Sequence, residues 1–152
     1  MQPMTTETKK SNRGRPRNPD LEDKVYDVVM RLYADGGWSA TTFEAVAREA
    51  GIGKSSLYRR WDSRETLLGN TLEARWLQVH KIDTGTLRGD LMALAEMIFA
   101  TRTGEYAGLQ SWFSVDGARY PEVREVISPY KEQTVLQARS ITRRAKKRGE
   151  VP

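Results

Sequence analysis

Residues 41–61 read TTFEAVAREAGIGKSSLYRRW, and no other stretch constrains the fold as tightly. Phe43, Val46, Ala47 and Ala50 form an apolar stripe at helical spacing, and Ser39 to Thr42 offer hydroxyl caps ahead of it. Gly51-Ile52-Gly53 predicts a tight turn with one buried aliphatic. Lys54 to Trp61 predicts a further short helix, with Leu57 and Trp61 four apart on one face. Two short helices joined through glycine form the helix-turn-helix pattern. Its second helix, held by a few apolar contacts, can protrude into a DNA major groove about 12 Å wide. With Leu57 and Trp61 turned inward, Lys54, Ser55, Ser56, Tyr58, Arg59 and Arg60 face solvent. They are donors and cations, with no acid among them. Small Ser55 and Ser56 allow close approach of the helix N-terminus, where the dipole and free N–H groups favour phosphate.

The rest of the chain predicts more helices. Asp20, after Pro19, can cap a first helix carrying Leu21, Val25, Val28, Val29 and Leu32, stopped by Gly36-Gly37. Asp62-Ser63 caps a fourth, expected from about Arg64 to Lys81 and including Leu67, Leu68, Leu72 and Trp76. Leu87, Leu91, Leu94 and Ile98 mark a fifth. Gly104 and Gly108 punctuate a weaker stretch containing Tyr106, Leu109, Trp112 and Phe113. Pro121 opens a long last helix with Val123, Val126, Ile127, Tyr130, Val135, Leu136 and Ile141, in which Pro129 should cause a kink or a break. No segment alternates with period two for long enough to be a strand, so the expected class is all-α.

Charge is segregated. Residues 1–19 hold Lys9, Lys10, Arg13, Arg15 and Arg17 against Glu7 alone, and residues 139–152 hold six cations against Glu150. The middle is acidic on balance, with 14 basic and 18 acidic residues over 20–138. Basic ends on an acidic body point to a polyanion partner; the basic run at 139–148 also reads as a solvated helix face. The 152 residues include no cysteine, which excludes disulfides and thiolate-held metals. His80 is the only histidine, with no acid at ligand spacing and no nucleophile beside it. No glycine-rich phosphate loop occurs. No cofactor and no enzyme chemistry are expected. The absence of an 18-residue apolar run predicts no transmembrane helix, and no secretory signal is evident. A cytoplasmic location is the default expectation.

TTFEAVAREAGIGKSSLYRRWDSRETLL resembles the DNA-binding domain of the tetracycline-repressor (TetR) family of transcriptional regulators. The likeness lies in the Thr-Thr start, Ala47, Ala50-Gly51, Leu57-Tyr58, an aromatic at Trp61, then Ser63-Arg64-Glu65 and Leu67-Leu68. It runs from about Arg13 through Leu72. DTGTLRGDL at 83–91 and RRAKKRGEVP at 143–152 resemble an actinobacterial-type subgroup with a C-terminal ligand domain. The resemblance implies a basic arm over 1–19, a three-helix DNA-binding domain over 20–68, and a helical effector-binding and dimerisation domain over 69–152. It implies that Thr42 caps the second helix and touches a phosphate. Lys54, Ser55, Ser56, Tyr58, Arg59 and Arg60 would line the recognition helix, with Tyr58 on phosphate, and Arg64 would also grip the DNA backbone. Gly53, often serine in the family, gives up a side-chain cap; Trp61 is larger than the usual phenylalanine.

Arg13-Gly14-Arg15-Pro16-Arg17 then reads as an arm for an A·T-rich minor groove, where negative potential favours arginine. Met92, Met97, Phe99, Tyr106, Trp112 and Phe113 are candidate residues for a small-molecule effector pocket, each also fit for ordinary core. The expected function is a repressor on a palindromic operator of double-stranded DNA, released by a small molecule and acting as a homodimer. A constitutive or architectural DNA-binding protein, or an interaction module that binds no DNA, are the alternatives. Family members continue with two further helices that build most of the dimer interface, and this chain is expected to lack them.

Overall fold

The computed structural model describes residues 19–152; the expected arm, with Arg13, Arg15 and Arg17, lies outside them. Among the described residues the chain forms seven α-helices, one 3-10 turn and no strand. They are α1 (Pro19–Ala40), α2 (Phe43–Ala50), α3 (Lys54–Tyr58), α4 (Arg64–Arg75), the 3-10 turn (Val79–Lys81), α5 (Leu87–Thr103), α6 (Leu109–Arg119) and α7 (Pro121–Lys147). Pro19, placed in the arm by the sequence, is the first residue of α1. None of the helices is long and apolar enough to cross a membrane.

The principal core runs from α1 through α2, α3, α4 and α6 to α7. Val25, Val29, Tyr33, Trp38, Val46, Leu57, Leu67, Leu68, Leu72, Phe113, Val123 and Ile127 are buried in it. Each such side chain contributes about 1.5–3 kcal/mol by leaving water. A smaller cluster of Val79, Ile82 and Ile141 packs with Leu87, Leu94 and Met97. Beside it, buried Asp90 on α5 accepts from the Thr84 N–H at 2.6 Å and the Thr84 hydroxyl at 2.9 Å. Arg144 of α7 approaches the same carboxylate at 3.5 Å, tying α5 to α7. The expected domain boundary at 68/69 falls inside α4, which packs against both α1 and α7.

Four elements differ from the sequence expectation. The fourth helix stops at Arg75, not Lys81, because Trp76 turns extended (φ −69°, ψ 158°) and its indole N–H donates to Thr134 of α7 at 2.6 Å. A tertiary bond has overridden helical periodicity, and His80 lies in the 3-10 turn beyond it. The third helix ends at Tyr58; the N–H groups of Arg60 and Trp61 both close onto Leu57 O at 2.9 Å. The stretch around Trp112 and Phe113 is a full helix, α6. Finally, α7 continues through Pro129. That residue is exposed, so the Glu125 carbonyl that loses its helical donor can turn to water.

Candidate nucleic-acid interface

The turn before α2 sets the geometry. Thr42 is extended (φ −92°, ψ 157°), and its hydroxyl oxygen accepts from the Ala45 N–H at 3.1 Å. This satisfies one of the orphan donors at the start of α2. At the other end Gly51 takes the left-handed conformation (φ 67°, ψ 36°) that a side chain resists, and Ile52 N–H bonds to Ala47 O at 3.0 Å. The chain reverses there and enters α3 through Gly53, which caps with no side chain. Leu57 and Trp61 are buried. Trp61 meets Tyr26 of α1 edge-on, 6.0 Å between ring centres, so the larger ring is accommodated against the first helix.

With that side fixed, Lys54, Ser55, Tyr58 and Arg59 are exposed, and Ser56 and Arg60 are half-buried. The Tyr58 ring packs edge-on against Phe43, 4.7 Å away, while the residue remains 53 % exposed. Its hydroxyl is thus carried on a braced ring. Arg59 reaches the Ser56 hydroxyl at 3.3 Å and Arg60 the Ser56 carbonyl at 3.4 Å. Arg60 Nε is buried without a hydrogen-bond partner among the described residues. Lys54 Nζ forms an ion pair with Glu44 of α2. That hydrogen bond is the main cause that raises the Lys54 pKa and lowers that of Glu44.

Arg64, expected on the DNA backbone, lies against α1 in the structure. It folds inward: Nη1 donates to Trp38 O at 3.0 Å and Thr41 O at 3.2 Å, and the guanidinium carbon lies 4.0 Å from the centre of the Trp38 ring. An electron-rich ring and two carbonyls nearby outcompete solvent for the cation. The sequence marks Arg64 as the start of a helix; it does not mark the partner, 26 residues earlier.

The candidate ligand residues divide. A cavity of about 310 Å³ is lined by Met97, Tyr106 and Phe113, together with Met30, Trp76 and Gln110. Met92 is 55 % exposed and Phe99 68 % exposed, and neither lines it. Met97 and Phe99 are two positions apart, and about 100° of turn per residue puts them on opposite sides of α5. Trp112 does not line it either; its ring packs where a Cβ on Gly37 of α1 would stand. Met30 and Gln110 were not foreseen, and neither carries a sequence signal distinguishing it from core or surface. Arg75 also borders the cavity, and it pairs with Asp23 at 3.1 Å and Asp27 at 3.0 Å on α1. Burial, and after it Glu105, pushes the Tyr106 phenol above its usual range.

Comparison with known proteins agrees with this geometry. Residues 25–70 match the family model described as bacterial regulatory proteins, tetR family. Residues 81–152 match one described as tetracyclin repressor-like, C-terminal domain. The chain is similar to the HTH-type transcriptional regulator AqdR of Rhodococcus erythropolis, 32 % identical over 97 % of this chain and 72 % of that protein. It is 31 % identical to an uncharacterized HTH-type transcriptional regulator of Mycobacterium tuberculosis, Rv1556, over 74 % of this chain but 58 % of the relative. A crystal structure assigned to the TetR-family regulators of Mesorhizobium loti superposes with a TM-score of 0.67, covering 89 % of this chain and 72 % of that one. At 20 % identity that likeness speaks for the fold alone. The chain therefore belongs to the tetR family of bacterial regulatory proteins, which are DNA-binding transcription regulators and not enzymes.

Proposed function

We propose that this chain represses transcription by seating α3 in the major groove of a palindromic operator, and that a small molecule in the cavity beside α4–α6 releases it. The observation that carries the reading is the acid-free outer face of α3. Lys54, Ser55, Tyr58 and Arg59 stand outward because Leu57 and Trp61 are pinned inward. Ser56, Arg60 and the Thr42 hydroxyl complete the expected surface. Lys54, Thr42 and Tyr58 suit phosphate, whereas Arg59 and Arg60 suit guanine edges.

One such helix reads few bases, so two copies on half-sites about one helical turn apart are expected, as a homodimer in the cytoplasm. Arg13, Arg15 and Arg17 would lie in the flanking minor groove. Repression is supported by the repressor-like match of residues 81–152. A small-molecule effector is supported by the aromatic cavity formed by Trp76, Tyr106 and Phe113.

Enrichment of bound duplexes from a random pool tests the reading. A palindromic consensus is expected, whose base preference relaxes in Arg59→Ala or Arg60→Ala. A consensus unchanged by both substitutions would place another element in the groove. Small-molecule-induced loss of binding to that consensus separates effector control from constitutive binding.

A further inference from the structure

Helical geometry in α1 breaks at Gly37 (φ 66°, ψ −157°). The break takes the Trp38 N–H out of the helical ladder, in a buried position where an unpaired donor is costly. Its partner comes from a different layer. The Asp116 carboxylate of α6, itself 3 % exposed, accepts that N–H at 2.7 Å. Asp116 also acts on Tyr33 of α1, whose buried phenol is raised first by burial and then by the neighbouring Asp116 side chain.

The segment held in this way is the lead into α2. Thr41 N–H bonds to Trp38 O at 3.2 Å, and the Thr41 hydroxyl to Gly37 O at 2.9 Å. Arg64 clamps Trp38 O and Thr41 O from the α4 side. Thr42, next in the chain, caps α2, and α2 carries α3. A displacement of Asp116 therefore reaches α3 through a short run of hydrogen-bonded backbone. On the same helix, Leu109, Gln110 and Phe113 border the cavity.

We propose that Asp116 is a positioning residue for DNA recognition: from α6, its carboxylate fixes the Trp38–Thr42 turn and with it the angle at which α3 is presented. The proposal rests on reading α3 as the element that contacts bases.

The test compares the wild-type chain with Asp116→Asn and Asp116→Ala on two duplexes, the site enriched from a random pool and a scrambled duplex of the same composition. Asn keeps an acceptor oxygen without the charge; Ala keeps neither. Circular dichroism establishes that each variant is folded. Affinity for the enriched site is expected to fall about threefold for Asn and about tenfold for Ala, the latter within the usual range of coupling between sites. Affinity for the scrambled duplex should not fall, because removing an acid strengthens DNA binding on charge alone. A simple loss of stability would leave the specificity of the folded molecules unchanged, so the ratio between duplexes is the deciding readout. Should Ala fail to fold, the Asn ratio decides alone, a threefold fall supporting the proposal. Wild-type ratios in the folded variants would overturn it while leaving α3 as the reader. A wild-type chain that enriches no sequence would refute base reading by α3, and the proposal with it.

Discussion

Replacing Arg64 separates two roles that a helix-start arginine beside a DNA reader could play. In the structure it donates to Trp38 O and Thr41 O at 3.0 and 3.2 Å and stacks 4.0 Å from the Trp38 ring centre. A hydrogen bond from a charged donor contributes about 1.5–3 kcal/mol net, and a partly exposed cation–π contact about 0.5–1 kcal/mol. Both hydrogen bonds come from a single nitrogen, so they add incompletely. Arg64→Ala is therefore expected to lower stability by about 2–4 kcal/mol. For a chain of this length that is a fall in the thermal midpoint of roughly 6–12 °C. Arg64→Lys keeps the charge but loses the planar fork and the stack, and should lose roughly half as much. Urea unfolding followed by circular dichroism measures this. DNA affinity against salt concentration measures the alternative, because each lost phosphate contact shrinks the logarithmic slope by about 0.9. An inward Arg64 predicts destabilisation with the slope of the folded variant unchanged. Wild-type stability together with a shallower slope would show that the guanidinium leaves Trp38 for DNA, and would refute the reasoning.

On the enriched site, Arg59→Ala and Arg60→Ala should each cost about 1–3 kcal/mol and broaden the base preference, as read by repeating the selection with each variant. Tyr58→Phe should weaken all duplexes alike, since the Phe43 contact survives and only the hydroxyl is lost; competition with scrambled DNA checks this. Deleting residues 1–17 removes five cations and one acid, so the salt slope should shrink by several units. The affinity loss should be largest on A·T-flanked sites, and equal loss on G·C flanks would reduce the arm to a tether. Asp90→Asn should lower the thermal midpoint near neutral pH. The Thr84 N–H, ahead of the Thr84 hydroxyl and Arg144, holds the Asp90 pKa below its ordinary value of 3.8. Its stabilisation is therefore present above that value and fades as pH falls through the depressed folded pKa. Melts taken down to about pH 2 should show wild type and variant converging.

The helix-turn-helix was legible because its local signals agree with one another. Thr42 can cap, Gly51 can turn left-handed, and Leu57 and Trp61 share a face; no long-range contact has to be guessed. Less was legible where a distant partner decides. Trp76 continues the stripe of Leu72 in sequence, but its indole N–H finds Thr134, 58 positions away, and the helix ends. Arg64 occupies a position suited to phosphate, and nothing near it in sequence announces its contact with the Trp38 ring, 26 positions earlier. Met92 and Phe99 are apolar enough for a pocket, but composition does not say which side of α5 faces α6. Asp116 is an aspartate in a helix, and nothing in the neighbouring residues marks it as buried. Its role depends on a backbone N–H released by a glycine 79 positions earlier.

The Lys54–Glu44 pair sits at the leading edge of α3, and if Lys54 meets phosphate as proposed, the pair bears on how long the protein would linger on the wrong sequence. Of the exposed cations on α3 and just after it, Lys54 meets solvent already attended by a carboxylate. A phosphate that replaces Glu44 must push aside a resident anion and leave it beside the polyanion. Where Arg59 and Arg60 also find their partners, that exchange is carried along by the rest of the contact. On random sequence it would have little to offset it, and a short dwell time there is the expected consequence. On that reading a tethered acid beside α3 would act as a brake on sticking, and each molecule would inspect more genome between productive stops.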